Sequence, residues 1–232
     1  MRFALDAQQR DFAASIDAAL ATGELIATVA LPPQVPRAVD ADIAGLVLVA
    51  DTSGEVSEAA VGERHESVDP ARRLFDVTAT GASWNADVVR AYEFGALATA
   101  AQLIGAGQSL LNAAVDYAKQ RAQFGRVIGS YQAIKHKLAD VHIAVELARP
   151  LVYGAALSLA ADSPDTARDV SAAKAAASDA ALLAARSALQ THGAIGFTAE
   201  HDLSLWLLRV QALRPAWGDP AAHRQRVLKA LS

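Results

Sequence analysis

The chain has 232 residues and a net charge of −4, a balance that offers no basic groove for a polyanion and so argues against a nucleic-acid-binding protein. Apolar residues make up 53 %, largely as alanine, while aromatics are only 6 %, which favours helices that pack closely. Cysteine is absent, which removes disulfides, thiolate nucleophiles and cysteine-based metal sites.

The opening Met1-Arg2-Phe3-Ala4-Leu5-Asp6 lacks the apolar core and small-residue cleavage site of a signal peptide, and no charge-free apolar run has membrane-spanning length. A soluble, mostly helical protein of the cytoplasm is expected. Asp6 to Ala21 reads as an amphipathic helix, with Phe12, Ile16 and Leu20 at helical spacing. Short β-branched runs follow at Leu25–Leu31 and Gly45–Ala50, separated by Pro32, Pro33 and Pro36, and Leu74–Thr78 reads as a further strand. Residues 23–87 therefore form a small β-rich module.

From Val88 onward the pattern is helical. Val88–Gln120 carries Leu97, Ala101, Ile104, Leu111 and Val115 broadly on one face. Tyr131–Leu159 is a second helix, with a kink expected near Glu146 from Pro150. A third runs from Asp165 to Thr191, started by Pro164-Asp165 and stopped by Gly193, and Ala199–Val210 and Pro220–Leu231 are shorter. Three long antiparallel helices with shorter ones behind them make an up-down bundle. The fold class is mainly α with a small β domain, organised as 1–22, 23–87 and 88–232.

Two stretches could carry chemistry. The loop holding Arg121, Phe124 and Gly125 offers a guanidinium, an aromatic face and free backbone donors at one point, a set suited to a pyrophosphate on a flat cofactor, with Gln132 just beyond. From spacing alone an ordinary inter-helix loop with a Ser130-x-Gln132 cap is the more economical reading. Gln190-Thr191-His192-Gly193 either bends close past a ligand or is a plain glycine-capped helix stop. The six histidines form no His-x-x-x-His pair with a nearby acid, so no metal site is expected. No dinucleotide-fold glycine fingerprint, P-loop or nucleophile elbow appears.

Together and in this order, these segments resemble the acyl-CoA dehydrogenase family. Ala118-Lys119-Gln120-Arg121-Ala122-Gln123-Phe124-Gly125, Tyr131-Gln132-Ala133-Ile134 and Leu138-Ala139-Asp140 are similar to its helix–loop–helix signature, and Gln190-Thr191-His192-Gly193 to its Gln-x-x-Gly-Gly loop, with Ala194 replacing the second glycine. The resemblance implies FAD and an acyl-CoA substrate: a carboxylate takes a proton from Cα of the thioester and a hydride passes from Cβ to flavin N5. It implies that Arg121 holds a partner subunit's FAD pyrophosphate, Phe124 packs on its flavin or ribityl region, Gln132 binds nearby, and Gln190 and the Gly193 backbone reach the adenine end. An electron-transferring flavoprotein is the family's usual electron acceptor.

The chain departs from the family in three places. The two positions where members carry the catalytic Glu fall on Trp217 and Gly95. Glu93 and Asp219 are the nearest carboxylates, and Glu93 reads better as a solvated acid at a helix start. Thr28-Val29-Ala30 replaces the Thr-Glu-Pro entry to the β domain, and most of the N-terminal helical domain is expected to be missing, by deletion or by excision between Ala21 and Gly23. Actinobacterial, FadE-like members, including those acting on bulky steroid side-chain esters, pair a catalytic subunit with a base-less one. The chain resembles the base-less partner in a hetero-oligomer, a dimer of dimers. A self-sufficient homo-oligomer using Glu93 or Asp219, and a non-catalytic helical assembly protein, are the alternatives.

Overall fold

The computed structural model describes residues 19–198 and 201–232, which divide between Val88 and Val89 into two units. The helix expected over Asp6–Ala21 lies outside the described residues except at its end, where residues 19–22 are helical, as does Ala199 at the start of the fourth expected helix.

The first unit is a five-stranded sheet of β1 (Ala27–Ala30), β2 (Ala38–Val39), β3 (Leu46–Ala50), β4 (Glu55–His65) and β5 (Leu74–Asn85), in the order β1-β3-β4-β5-β2. Only β1–β3 is parallel. Leu74–Thr78 forms the start of β5 as expected, but β4 and the rest of β5 were not readable in the sequence because most of their side chains are exposed and no apolar alternation marks them. A small core of Ala38, Ala41, Val47 and Phe75 fills one face. Thr28, which stands where the family has its Thr-Glu-Pro entry, accepts a hydrogen bond at Oγ1 from Val39 N–H (3.1 Å), so it serves the sheet's own register.

The second unit holds α1 (Val88–Gln120), α2 (Gln132–Ala160), α3 (Thr166–His192), α4 (Leu203–Leu213) and α5 (Pro220–Leu231). The buried side of α1 is Ala96, Ala100, Leu103, Gly107, Leu110 and Ala114, whereas Ala101 is exposed and Leu97 and Val115 are half-buried. Of the expected face, Ile104 and Leu111 are buried in the core and Val115 packs against it, while small residues complete the buried side where α3 brings alanines at 177, 180, 181, 184, 185 and 188. A Cβ added at Gly107 would lie 3.4 Å from Val145 Cγ2 and 3.5 Å from Ala181 Cα, so backbones approach where these side chains meet.

α2 runs unbroken through Pro150, although the proline ring removes the donor that Glu146 O would use. Its start is not capped by Ser130, whose hydroxyl donates to Val127 O (2.7 Å). Gly193 does close α3, at φ 68°.

By length and apolarity alone, α1 and α2 could each cross a membrane. Half of the most apolar window of α1 is buried in the unit, against 22 % for α2. Ile143, Leu147, Pro150, Leu151, Gly154 and Leu157 form an outward stripe on α2.

Replacing Ala181, which is fully buried, with leucine is expected to cost about 1–3 kcal/mol through overpacking. Urea unfolding followed by far-UV circular dichroism reads this out, and an unchanged midpoint would contradict the close α1–α3 approach.

Candidate functional site

The two constellations that concern the site stand at opposite ends of the helical unit. At one end α1 stops at Gln120 and the chain reverses through a two-stranded hairpin, β6 (Ala122–Gln123) and β7 (Arg126–Val127), then a 3-10 turn at Ile128–Ser130. Phe124 and Gly125 form its two-residue tip with φ values of 52° and 81°. Successive positive φ is the geometry that lets such a short hairpin follow the strand twist, and glycine accommodates it freely where phenylalanine does not. Phe124 is nevertheless 91 % exposed, an unfavourable place for a large apolar ring in the chain by itself.

Three contacts hold the hairpin. Ile128 N–H donates to Arg121 O (2.8 Å), Tyr131 Oη donates to Gln123 O (3.1 Å), and the Arg126 guanidinium lies 4.0 Å above the Tyr131 ring. Arg121 is exposed, its N–H bonded to Tyr117 O (2.9 Å). Gln132, the first residue of α2, is exposed beside it.

Gln190 and Gly193 close α3 at this same end. Gln190 Oε1 accepts from Lys137 of α2, and the His192 ring stacks on Tyr117 of α1 at 4.3 Å, tying the three helix ends together. His192 is buried and bonded to Ala188 O (2.8 Å), and burial lowers its pKa, so it is a structural ring rather than an exposed base. The fold therefore gathers Arg121, Phe124, Gln132, Gln190 and Gly193 on one end of the bundle.

From Lys119 to Lys137 the chain carries five Lys or Arg residues and no Asp or Glu. This local excess in an acidic chain was readable from the sequence, but the motif reading passed over it and missed Arg126, Tyr131 and Lys137. With two guanidiniums that join no ion pair among the described residues, an outward aromatic ring and no Asp or Glu between Lys119 and Lys137, the donor set fits the pyrophosphate and flat rings of FAD.

Glu93 and Asp219 lie at the other end, since Glu93 is separated from the end of α1 by roughly 40 Å of helix. Glu93 is not the solvated acid expected at a helix start: its side chain is 3 % exposed and paired with Arg226. Burial raises its pKa, against the opposing hydrogen bond and charge of Arg226, and its Oε2 has no protein partner. Asp219 caps α5, accepting at Oδ1 from Ala222 N–H (2.8 Å).

The two positions that the family resemblance assigns to a base meet here. Trp217, at φ 56°, lays its indole where a Cβ on Gly95 would have to go, so position 95 takes no carboxylate unless that ring moves.

The Trp217 loop is held by two hydrogen bonds to its carbonyl, from Tyr92 Oη (2.9 Å) and His223 Nε2 (2.8 Å). Lys174 is buried among the alanines of α3. Its ammonium donates to Arg214 O (2.9 Å), Gly218 O (3.1 Å), Leu213 O (3.4 Å) and Ser178 Oγ (3.3 Å), satisfying the carbonyls that α4 leaves at its end. Burial pushes its pKa down to about 8, with the charge of Arg214 adding to the shift and Asp219 opposing it.

In the sheet unit, Glu63, His65 and Asp76 come close enough to share a cation, but Asp76 is already bonded to Arg37 (3.1 Å) and His65 (2.7 Å).

Residues 86–232 match the sequence profile of the acyl-CoA dehydrogenase C-terminal domain. Acyl-CoA dehydrogenase IpdE2 of Mycolicibacterium smegmatis is 34 % identical over 213 residues, which cover 90 % of this chain and 65 % of that protein. Butyryl-CoA dehydrogenase from Megasphaera elsdenii superposes with a TM-score of 0.84 at 20 % identity, covering 99 % of this chain and 73 % of that one. The ChsE4–ChsE5 complex from Mycobacterium tuberculosis gives 0.76 at 22 % identity, over 92 % and 68 %.

His223 is fully buried, with its pKa pushed down to about 4, chiefly by burial. Its unfolded value is higher, so the unfolded chain takes up the proton first. The stability is complete above about pH 6.5 and is lost as pH falls through about 4. Acid unfolding of the parent is expected to show this loss, on the order of 2–3 kcal/mol, and His223→Gln to lack it. Superimposable pH profiles for the two proteins would show that His223 is not the group responsible.

Proposed function

The chain belongs to the acyl-CoA dehydrogenase family, and from that premise we propose that it is a subunit of an FAD-dependent acyl-CoA dehydrogenase whose hairpin serves a flavin site on an adjoining subunit. One observation carries this reading: the cofactor-suited groups and the two candidate base carboxylates, Glu93 and Asp219, stand at opposite ends of α1, roughly 40 Å apart. A general base must reach the proton it removes, so these carboxylates cannot work on a substrate seated against this chain's own hairpin.

FAD, when bound, supplies the hydride acceptor for α,β-desaturation of an acyl-CoA thioester. The hairpin's part is recognition. Arg121 places its fork on the pyrophosphate, Phe124 covers an apolar face of the cofactor and excludes water, and Gln132 lies within the same loop. Gln190 and the Gly193 backbone serve the adenine end.

This chain's own would-be base positions are filled by Trp217 over Gly95, which supports the role of base-less partner. Glu93 is tied to Arg226 and Asp219 to a helix cap, which speaks against the self-sufficient alternative. The non-catalytic assembly protein is disfavoured by the hairpin itself, whose exposed ring and unpaired guanidiniums serve no purpose in a scaffold.

The outward stripe on α2 is a face for another subunit in the cytoplasmic assembly, homomeric or mixed. The solved relative that is a ChsE4–ChsE5 complex is consistent with a mixed one. The chain spans 65 % of the length of the relative IpdE2. An electron-transferring flavoprotein is the expected acceptor.

Native mass and flavin content, measured for the chain alone and co-expressed with its neighbouring gene, test the proposal. An oligomer that holds FAD fully only with the partner is expected, whereas full flavin occupancy and turnover in the chain alone would overturn the base-less role. Absence of flavin in every assembly would favour the scaffold. In the active assembly, Glu93→Gln and Asp219→Asn are each expected to leave kcat within a few-fold of the parent. A drop of orders of magnitude in either would identify it as the base.

A further inference from the structure

The hairpin carries a second cation with no assigned role. Gln123 and Arg126 are direct cross-strand partners, as are Ala122 and Val127, and Ile128 N–H bonds back to Arg121 O. Gln123 and Arg126, as direct cross-strand partners, emerge on one face of the ribbon, and Arg121 stands at the foot of the same hairpin, its carbonyl closing it onto Ile128.

Among the described residues neither guanidinium joins an ion pair, and the nearest acids in sequence are Asp116, which pairs with Lys119, and Asp140. Both guanidiniums stand on one short hairpin with no Asp or Glu between Lys119 and Lys137, which favours an anion there. Tyr131 fixes the second cation in place: its ring carries the Arg126 guanidinium at 4.0 Å and its hydroxyl ties down the strand through Gln123 O. A guanidinium stacked on a ring keeps its in-plane N–H groups free for a ligand.

We propose that Arg126, held on Tyr131, is the second phosphate-gripping guanidinium of the hairpin, so that Arg121 and Arg126 divide between them the two phosphates of one dinucleotide pyrophosphate. This rests on the reading of the hairpin as a cofactor contact. It adds that Arg126 binds the ligand directly and that Tyr131 is a positioning residue. The geometry asks for a diphosphate: with a single phosphate, one of the two forks is left over.

The test uses FAD as the probe and whichever full-length assembly, homomeric or mixed, retains it. FAD affinity is titrated from about 50 to about 500 mM NaCl for the parent, Arg126→Gln, Arg126→Lys, Tyr131→Leu and Arg121→Gln, alongside thermal midpoints without cofactor. Arg126→Gln is expected to raise Kd about tenfold or more and to flatten its salt dependence, leaving the cofactor-free midpoint in place. Tyr131→Leu is expected to raise Kd in the same direction, and Arg126→Lys to keep the salt dependence while recovering only part of the affinity.

An Arg126→Gln protein with Kd within twofold of the parent and an unchanged salt slope, while Arg121→Gln sheds FAD, overturns this assignment and leaves the hairpin reading standing. The same unchanged Kd with a lowered midpoint makes Arg126 a staple of the hairpin only, and also overturns it. If Arg121→Gln too binds FAD like the parent, or no assembly binds FAD, the cofactor reading of the hairpin falls and takes Arg126 with it.

Discussion

Close approach of helix backbones is the constraint on which the second unit depends. α3 offers alanines at 177, 180, 181, 184, 185 and 188, and α1 answers with Ala100, Gly107 and Ala114. Small side chains let helices draw together, and at that spacing each added methylene meets backbone or a packed neighbour. Long helices locked in this way run antiparallel, so every connection is forced to an end of the bundle. The hairpin between α1 and α2 and the Gly193 cap of α3 are brought to the same end by this requirement alone.

The two ends are built on opposite electrostatic principles. At the Trp217 end the charges are partnered from within the chain, Glu93 by Arg226, the Lys174 ammonium by three carbonyls and a hydroxyl, and the Asp219 carboxylate by the first turn of α5, although Glu93 Oε2, Arg226 Nη1 and His223 Nδ1 stay buried without a partner among the described residues. Breaking one partnership leaves the other charge stranded. At the hairpin end Arg121 and Arg126 are unanswered and Phe124 projects into solvent.

The Trp217 indole accounts for why this chain departs from its family where it does. With Tyr92, His223 and Lys174 all bonded to carbonyls of residues 213–218, the loop is fixed, and its indole leaves no space above Gly95. A carboxylate could not be restored at position 95 by one substitution, because the ring and the loop that carries it would both have to move. The absence of a carboxylate at position 95 is thus embedded in packing, as the proposed base-less role requires.

Much of this was legible in the chain itself. The long helices, the glycine stop at Gly193 and the Arg121–Phe124 loop follow from apolar period, cap residues and motif wording, because these are local properties. The basic run from Lys119 to Lys137 was equally visible as composition. Only the tertiary structure decided which face of α1 is buried, since bulk marks hydrophobicity whereas close packing selects small residues wherever two backbones approach. It alone decided the environment of Glu93, whose burial comes from α5 more than 100 residues away, and that Trp217 meets Gly95 across a similar separation. Beyond Leu74–Thr78, the exposed strands β4 and β5 carry no apolar alternation and are set by pairing with each other, a partnership that no local pattern encodes.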